Sequence, residues 1–395
     1  MTRRSVIALG IGQSINWGVL YYAFAVLVVP LRRELGVDTW VVTGAFSLAL
    51  LMSAMLAPRV GVWCDRDRGP IVMLGGGFGA GLLLIVWTMV PGVAALYLIW
   101  GALGLCMAMT LYEPAFVIVG RAYDDPSKRL RALAAVTLFG GLASTVFLPL
   151  TAFLVATWGW RRAVLVLAAA LIASSAIGRT FRPAHPRARR DIPGRAAALD
   201  ASGLVGGPPW LLTTGMFAIA SLASAAFAAN LVPALTERGI SASSVAVLGG
   251  VIGVMQLPGR ALLMHGGLDA KPTRLLTLSL GLQAIGLGGV AVASTVLAAA
   301  AGTALFALGA GLITLVRPHL VQTMVGGAGG YLNGRMARQQ QLARAAGPLA
   351  VAWIAGTISY SAVFAGIAAL FVVIGVAAQG QLRGLGAIHT SDQAA

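Results

Sequence analysis

The chain has 395 residues, of which 58% are hydrophobic and only 10% are charged. Soluble domains carry about 25% charged residues, so this composition excludes a large soluble domain and indicates a polytopic membrane protein. The net charge is +16, but the basic residues lie between apolar stretches, which argues against a nucleic-acid surface. Cys64 and Cys106 are the only cysteines, and they predict neither a disulfide framework nor a metal site.

Twelve apolar stretches of about 20 residues each predict membrane-spanning helices. They cover residues 5–29, 40–62, 71–90, 93–120, 132–155, 162–179, 210–233, 242–263, 275–293, 296–324, 336–357 and 360–379. A polar, proline-rich and arginine-rich stretch divides six of them from the other six. The pattern predicts an N-terminal bundle at 1–180, a cytoplasmic linker at 181–209, and a C-terminal bundle with a short cytoplasmic tail at 210–395.

The charges of the loops predict the orientation. With the N-terminus inside, the outer loops hold only Arg32, Arg33, Arg161, Arg162 and Arg238, and most other Lys and Arg residues fall on the inner side. Because cytoplasmic loops are enriched in Lys and Arg, we expect both termini to be cytoplasmic.

Polar and aromatic side chains share one face of the first predicted helix. Gln13, Trp17 and Tyr21 follow an i, i+4, i+8 spacing, and Asn16 lies beside them. Amides that face lipid are costly, so we expect this face to look inward and to suit a polar and aromatic substrate. The later helices add Asn230 and Gln256. Hydrogen bonding between helices is the alternative role for each of these residues, and the sequence leaves both open.

The fourth predicted helix contains Tyr112, Glu113 and Pro114. A carboxylate in a membrane helix costs roughly 2.5–3.5 kcal/mol and is therefore a candidate functional group. Proline removes a helix hydrogen bond and predicts a kink. Three roles compete for Glu113: proton coupling, a gate with a basic partner, or a structural carboxylate.

The Glu-Pro pair has a counterpart 204 residues later, at Arg317 and Pro318. The same offset relates Asp65 to Asp269, so we predict an internal repeat of six helices. A charged Arg317 in the membrane needs a carboxylate, backbone carbonyls, water or an anionic ligand. An organic anion is therefore one predicted ligand, and pairing with Glu113 is the other explanation.

The connection between the second and third helices reads Gly61-Val62-Trp63-Cys64-Asp65-Arg66-Asp67-Arg68-Gly69-Pro70. It resembles the loop signature of the major facilitator superfamily: Gly61, Asp65 and Arg66 match in spacing, whereas the second glycine is displaced to Gly69. The resemblance covers essentially the whole chain, and the first helix with the Tyr112 region resembles bacterial members near the monocarboxylate-transporter-like branch.

The resemblance implies an all-α membrane protein with twelve transmembrane helices in two pseudo-symmetric six-helix bundles. It also implies that the Asp65 loop, with Asp269 in the second half, acts as a cytoplasmic gate latch. In that family the fourth and tenth helices line the central cavity, which agrees with candidate roles for Glu113 and Arg317.

These patterns predict a secondary active transporter of the bacterial inner membrane. We expect it to move a small organic anion or amphiphilic metabolite by alternating access, coupled to protons, as a monomer without a cofactor or nucleic-acid partner. The alternatives are a drug or toxic-metabolite efflux transporter and a non-transporting membrane sensor. An enzyme is not expected, because no nucleophile-base spacing or His/Cys/Asp cluster is present in the sequence.

Overall fold

A computed structural model describes residues 1–89, 92–177, 207–240, 242–266, 271–325 and 329–392. Within these ranges the regular structure is entirely helical. Most of the linker predicted at 181–209 lies outside the described residues, as does Asp269.

The helices follow the predicted spans closely. They are α1 (Arg3–Trp17), α2 (Ala23–Leu35), α3 (Thr39–Trp63), α4 (Gly69–Trp87), α5 (Val93–Thr110), α6 (Tyr112–Ala122), α7 (Pro126–Gly141), α8 (Ala143–Ile177), α9 (Pro208–Thr236), α10 (Ala242–His265), α11 (Pro272–Val292), α12 (Val296–Val325), α13 (Gly329–Ala355) and α14 (Tyr360–Asp392). Two short π-helical segments, Gly18–Tyr22 and Cys64–Arg68, connect α1 to α2 and α3 to α4. The first π segment was not predicted.

Eight stretches of helix in the described residues are long and apolar enough to cross a membrane. Two of them, Trp40–Trp87 and Pro126–Ala176, have 48 and 51 residues, which is room for two crossings each. Within the second, Gly159 has a φ of +76°, a left-handed conformation that glycine adopts without strain and that ends one helical segment before the next. These features agree with the predicted fifth and sixth spans.

The chain divides into two compact units. One comprises Met1–Ala196 with Val321–Gln341, and the other comprises Ala197–Leu320 with Leu342–Ala395. The division into 1–180, 181–209 and 210–395 stays a prediction.

Aromatic side chains fill the core of the first unit. Phe24 lies 4.4 Å from Trp100 and 4.8 Å from Phe46, measured between ring centroids. Trp87 lies 5.6 Å from Trp100 and 5.3 Å from Trp160. Stacked and edge-to-face ring pairs stabilise a core beyond their area burial, so this cluster fixes α2, α3, α4, α5 and α8 against one another.

An ion pair closes one end of the first unit. Glu34 accepts hydrogen bonds from Arg161 Nη1 at 2.7 Å and from Trp160 Nε1 at 2.6 Å. Arg161 Nε also donates to the Thr88 carbonyl at 3.1 Å, near the end of α4. One carboxylate and one guanidinium therefore connect the ends of α2 and α4 to the start of the second segment of α8.

The second unit has a related but weaker arrangement. Glu237, which follows α9, accepts a hydrogen bond from the Tyr360 backbone N–H at 3.2 Å. Its neighbour Arg238 donates through Nε to the Ala293 carbonyl at 2.6 Å and through Nη1 to Ser361 Oγ at 3.2 Å. The ends of α9 and α11 are thus connected to the start of α14 through backbone groups and the Ser361 hydroxyl.

Candidate functional site

The fourth predicted span is interrupted at Leu111, where ψ is −158° and the backbone is extended. Helix α5 ends at Thr110 and α6 begins at Tyr112; we call this break the α5–α6 interruption. Pro114 has no N–H, so a continuous helix would leave the Thr110 carbonyl without its usual donor four residues later. The predicted kink at this proline is therefore a full break in the helix.

Two side-chain amides supply the missing donors. Gln13 Nε2 donates to the Thr110 carbonyl at 2.7 Å, and Asn16 Nδ2 donates to the same oxygen at 3.0 Å. Gln13 and Thr110 have no solvent-exposed surface, and Asn16 is 5% exposed. The two amides of the face predicted for the first helix are therefore buried, and they bind the interrupted backbone.

Aromatic rings surround the start of α6. The Tyr112 ring stacks on Phe116 at 5.1 Å and lies 4.8 Å from the Trp17 ring, which is 5.2 Å from Tyr21. The Tyr112 hydroxyl donates to the Thr137 carbonyl at 3.4 Å. The structure thus brings the predicted residues Trp17, Tyr21 and Tyr112 together in one aromatic group.

Two buried polar atoms next to this group lack a hydrogen-bond partner among the described residues. They are Trp17 Nε1, a donor, and Gln13 Oε1, an acceptor. Both atoms belong to α1, the helix whose amides bind the Thr110 carbonyl.

Glu113 lies in the first turn of α6 and is half-buried. A carboxylate there interacts favourably with the positive end of the helix dipole. The cap residue Leu111 offers no side-chain cap to the N–H groups of α6. By contrast, the next helix start is capped, because Asp125 Oδ1 accepts from the N–H groups of Ser127 at 2.8 Å and Lys128 at 3.0 Å.

In the second unit, Arg317 and His319 are buried in α12, with 6% and 0% of their surfaces exposed. The helix runs through Pro318 without a break. Whether Arg317 and Glu113 pair stays a prediction, since the two residues belong to different units.

Asn230 and Gln256 make contacts within the second unit. Asn230 Nδ2 donates to the Ala226 carbonyl at 2.9 Å and to the Pro348 carbonyl at 3.3 Å, which joins α9 to α13. Gln256 Oε1 accepts from Arg260 Nη2 at 3.2 Å. Helix-to-helix bonding, the alternative role, is thus what Asn230 does in this structure.

Arg260 was missed as a candidate residue. It is 3% exposed in α10, and its Nη2 also donates to Thr314 Oγ1 at 3.4 Å on α12. The signal was a cation inside the predicted span 242–263, the same signal that identified Arg317, but its nearness to the span's end suggested an interfacial position.

The Asp65 turn binds the start of a helix from the other half of the sequence. Asp65 is fully buried; its Oδ1 accepts from the Gly330 N–H at 2.9 Å and its Oδ2 from the Tyr331 N–H at 2.8 Å. A Cβ on Gly61 would collide with the Gly330 carbonyl, so glycine permits this approach. The carboxylate therefore caps the first turn of α13.

One signature residue, Arg66, behaves differently from Asp65. Arg66 is exposed, and the basic residue in contact with the turn is Arg121, which donates to the Asp65 carbonyl at 2.8 Å and pairs with Asp67 at 2.7 Å. Sequence spacing alone did not single out Arg121, because it lies 56 residues from Asp65. The predicted partner position Asp269 lies outside the described residues.

The described residues contain no group of three His, Cys, Asp or Glu side chains arranged to bind a metal ion. The polar atoms at the α5–α6 interruption are amides, an indole and one carboxylate, which suit hydrogen bonding to a small solute.

Apolar helices, an interrupted membrane segment and buried ions define a multi-pass membrane transport protein. A family model described as Major Facilitator Superfamily matches residues 9–337, which is most of the sequence. The chain belongs to the Major Facilitator Superfamily. This match confirms the predicted family and, with the structural likeness below, the predicted fold of twelve helices in two six-helix bundles.

Two known proteins resemble the chain. Monocarboxylate transporter 4 of Gallus gallus is 28% identical over 189 residues, a match that covers 43% of this chain and 38% of that relative. The human organic anion transporter MFSD10 (TETRAN) has the same fold, with a TM-score of 0.72 at 16% identity over 96% of this chain and 100% of that structure. The first likeness agrees with the predicted branch, and the chain spans well under half the length of that relative.

Proposed function

We propose that the chain is a secondary active transporter that moves a small organic anion or amphiphilic metabolite by alternating access. The two similar proteins are a monocarboxylate transporter and an organic anion transporter, which supports this substrate class. The contacts of the described residues support it independently.

The α5–α6 interruption carries the proposal. Non-helical backbone at membrane depth is tolerated only where it is buried in protein or lines a cavity. Interrupted membrane helices present the N–H groups of a half-helix to anionic parts of a substrate. Leu111 gives the start of α6 no side-chain cap, and the indole ring of Trp17 lies in the aromatic group beside it. We therefore assign Trp17, Tyr21 and Tyr112 to substrate binding.

The second unit contains two buried cations. Arg260 and Arg317 are 3% and 6% exposed, and both guanidinium groups stay charged in the membrane. Arg260 donates hydrogen bonds to neutral oxygens of Gln256, Thr314 and Gly311. Either guanidinium group would attract an anionic substrate, and Gln256 would orient Arg260.

Glu113 is the proposed proton-coupling residue. It is half-buried and sits in the first turn of α6, next to Tyr112 of the aromatic group. Coupling requires that it gains and loses a proton during the cycle, and a position at an interrupted helix allows its surroundings to change.

Transport by purified protein in proteoliposomes tests both proposals. We expect accumulation of small carboxylates, such as 2-hydroxy or 2-oxo acids, when a proton gradient is imposed. Glu113→Gln should abolish accumulation against the gradient and spare exchange of labelled for unlabelled substrate. Equal loss of both activities would assign Glu113 to structure or gating, and the absence of carboxylate flux in wild type would contradict the substrate class.

The aromatic group favours one other function, efflux of drugs or toxic metabolites. Four rings within 5.2 Å of a neighbour suit flat amphiphilic molecules as well as small acids. Lipophilic cations and neutral aromatic compounds should be included in the flux assay. Preferential transport of these compounds would replace the anion proposal with efflux.

We further propose that the Asp65 turn is a latch that forms in one conformation of the cycle and breaks in the other. Asp65 contacts two N–H groups of α13, and movement of that helix start would break both bonds at once. The proposed location is the bacterial inner membrane, with both termini and the latch in the cytoplasm. Impermeant labelling of single cysteines introduced near residue 330 and in the loop before α3 tests that orientation.

A further inference from the structure

The Thr110 carbonyl has lost its helical donor and cannot reach water. Residue 114, which would donate to it in a continuous helix, is proline, and Thr110 is fully buried. A buried carbonyl without a donor is costly, so the break in the helix depends on a replacement.

Gln13 and Asn16, the amide pair, provide that replacement from a distant part of the sequence. They reach the same oxygen at 2.7 and 3.0 Å, across 97 and 94 residues. A carbonyl oxygen has two lone pairs and can accept both bonds. The assignment of each side-chain nitrogen follows from chemistry, because a carbonyl requires a donor.

The second half of the chain shows what happens where the amides are absent. Helix α12 carries Thr314 and Pro318 at the same spacing as Thr110 and Pro114, yet it continues from Val296 to Val325. The positions that correspond to the amide pair, 203 or 204 residues later, are apolar in either alignment: Met216 or Phe217 and Ile219 or Ala220. Proline alone therefore does not produce the break.

We infer that Gln13 and Asn16 are positioning residues that keep the α5–α6 interruption open by replacing the N–H that Pro114 lacks. They act through the Thr110 carbonyl and not by contact with the transported solute. By fixing where α6 begins, they set the positions of Tyr112 and Glu113.

A double-mutant cycle in the full-length protein tests this inference. The first variant, Gln13→Met with Asn16→Leu, removes both donors while it preserves side-chain size. The second, Pro114→Ala, restores a backbone N–H at residue 114. Hydrogen exchange of the α6 amides, measured by mass spectrometry, reports the break directly, and transport reports its consequence.

We expect the paired amide substitution to increase α6 exchange by about tenfold in the wild-type background, because a buried carbonyl loses its donors. In the Pro114→Ala background the same substitution should change exchange by less than about threefold, since the restored N–H satisfies the carbonyl. Transport should show the same dependence, with a fall in the maximal rate rather than in substrate affinity. The transport readout rests on the proposed function, whereas hydrogen exchange does not.

The matched control is Pro318→Ala in the continuous helix α12. In the Pro318→Ala background, removal of the amide pair should increase α6 hydrogen exchange as much as it does in the wild-type background, because Pro318 belongs to the other half. An equal cost in the wild-type and Pro114→Ala backgrounds would overturn the inference and leave a packing role for the amides. Should the paired variant fail to fold, Asn16→Leu alone can be used, since it retains the Gln13 bond. It should produce a smaller increase in α6 exchange that again falls in the Pro114→Ala background. An increase that does not depend on residue 114 would overturn the inference.

Discussion

The same threonine-to-proline spacing occurs in α5–α6 and in α12, and the two segments fold differently. The first is interrupted at Leu111 and surrounded by amides and aromatic rings, whereas the second is continuous and carries a buried Arg317. The comparison teaches that a membrane proline only permits a break. The neighbouring helix decides whether the break forms, by providing or withholding donors for the freed carbonyl.

At Arg317 in the continuous helix, transport should depend more on the positive charge than on the shape of the side chain. Arg317→Gln is expected to reduce uptake of an anionic substrate by about a hundredfold, the loss of one charge-assisted contact, while Arg317→Lys retains part of the activity. Arg344→Gln is the matched control, because Arg344 lies in α13 and is partly exposed. Equal effects of Arg317→Gln on anionic and neutral substrates would argue for a structural role, and the contrast between the halves would then rest on backbone alone.

The Asp65 turn allows a second comparison between two neighbouring carboxylates. Asp65→Asn should lower the free energy of unfolding by about 2 kcal/mol, because one of the two oxygens that accept buried N–H groups is replaced by an NH2 group, which cannot accept. Asp67→Asn should cost at most about 1 kcal/mol, since the Asp67 side chain is 44% exposed and its pair with Arg121 is screened. Thermal unfolding in detergent measures both, and equal shifts would contradict the capping role.

The closed ends of the two units offer a smaller contrast. Glu34→Gln removes an ion pair whose partners are 33% and 45% exposed, so we expect a cost of only about 0.5–1 kcal/mol, reduced further at high salt. Glu237→Gln should cost less, because Glu237 accepts one backbone N–H and Gln can still do so. Unfolding midpoints at low and high salt separate the two variants. A larger effect at Glu237 would reverse the ranking of the two ends.

The smallest expected effect lies at the capped start of α7, which contrasts with the uncapped start of α6. The backbone N–H of Lys128 is the main cause of a pKa of Asp125 below its ordinary value, with Ser127 contributing too. A lowered pKa means that the cap stabilises the folded state above about pH 4 and that this contribution is lost as the pH falls through the folded-state pKa. An asparagine at this position would be a cap that does not titrate. In a pH series of unfolding midpoints, Asp125→Asn should therefore remove only the loss of stability that accompanies protonation of Asp125 at low pH.

Local features of the sequence predicted most of the fold. Apolar windows located the helices, and Pro114 indicated the break, because both signals come from adjacent residues. The partners of the break were beyond reach, since Gln13 and Asn16 meet Thr110 across more than 90 residues. Either a solute-binding or a helix-bonding role fitted their spacing. Arg121 was missed for the same reason, and Arg260 because its place near a helix end resembled an interfacial cation.

The π segment Gly18–Tyr22 has a mechanical consequence for the first helix. A π turn contains one residue more than an α turn, so everything after it is rotated by about 100° relative to a regular α-helix. The helix face that carries Gln13, Trp17 and Tyr21 consequently ends at this wide turn. Pro30 lies on a different face than a regular period of 3.6 residues, counted from Gln13, would give. Deleting one residue from this segment would rotate α2 about the helix axis, while Gln13 and Asn16 in α1 kept their positions.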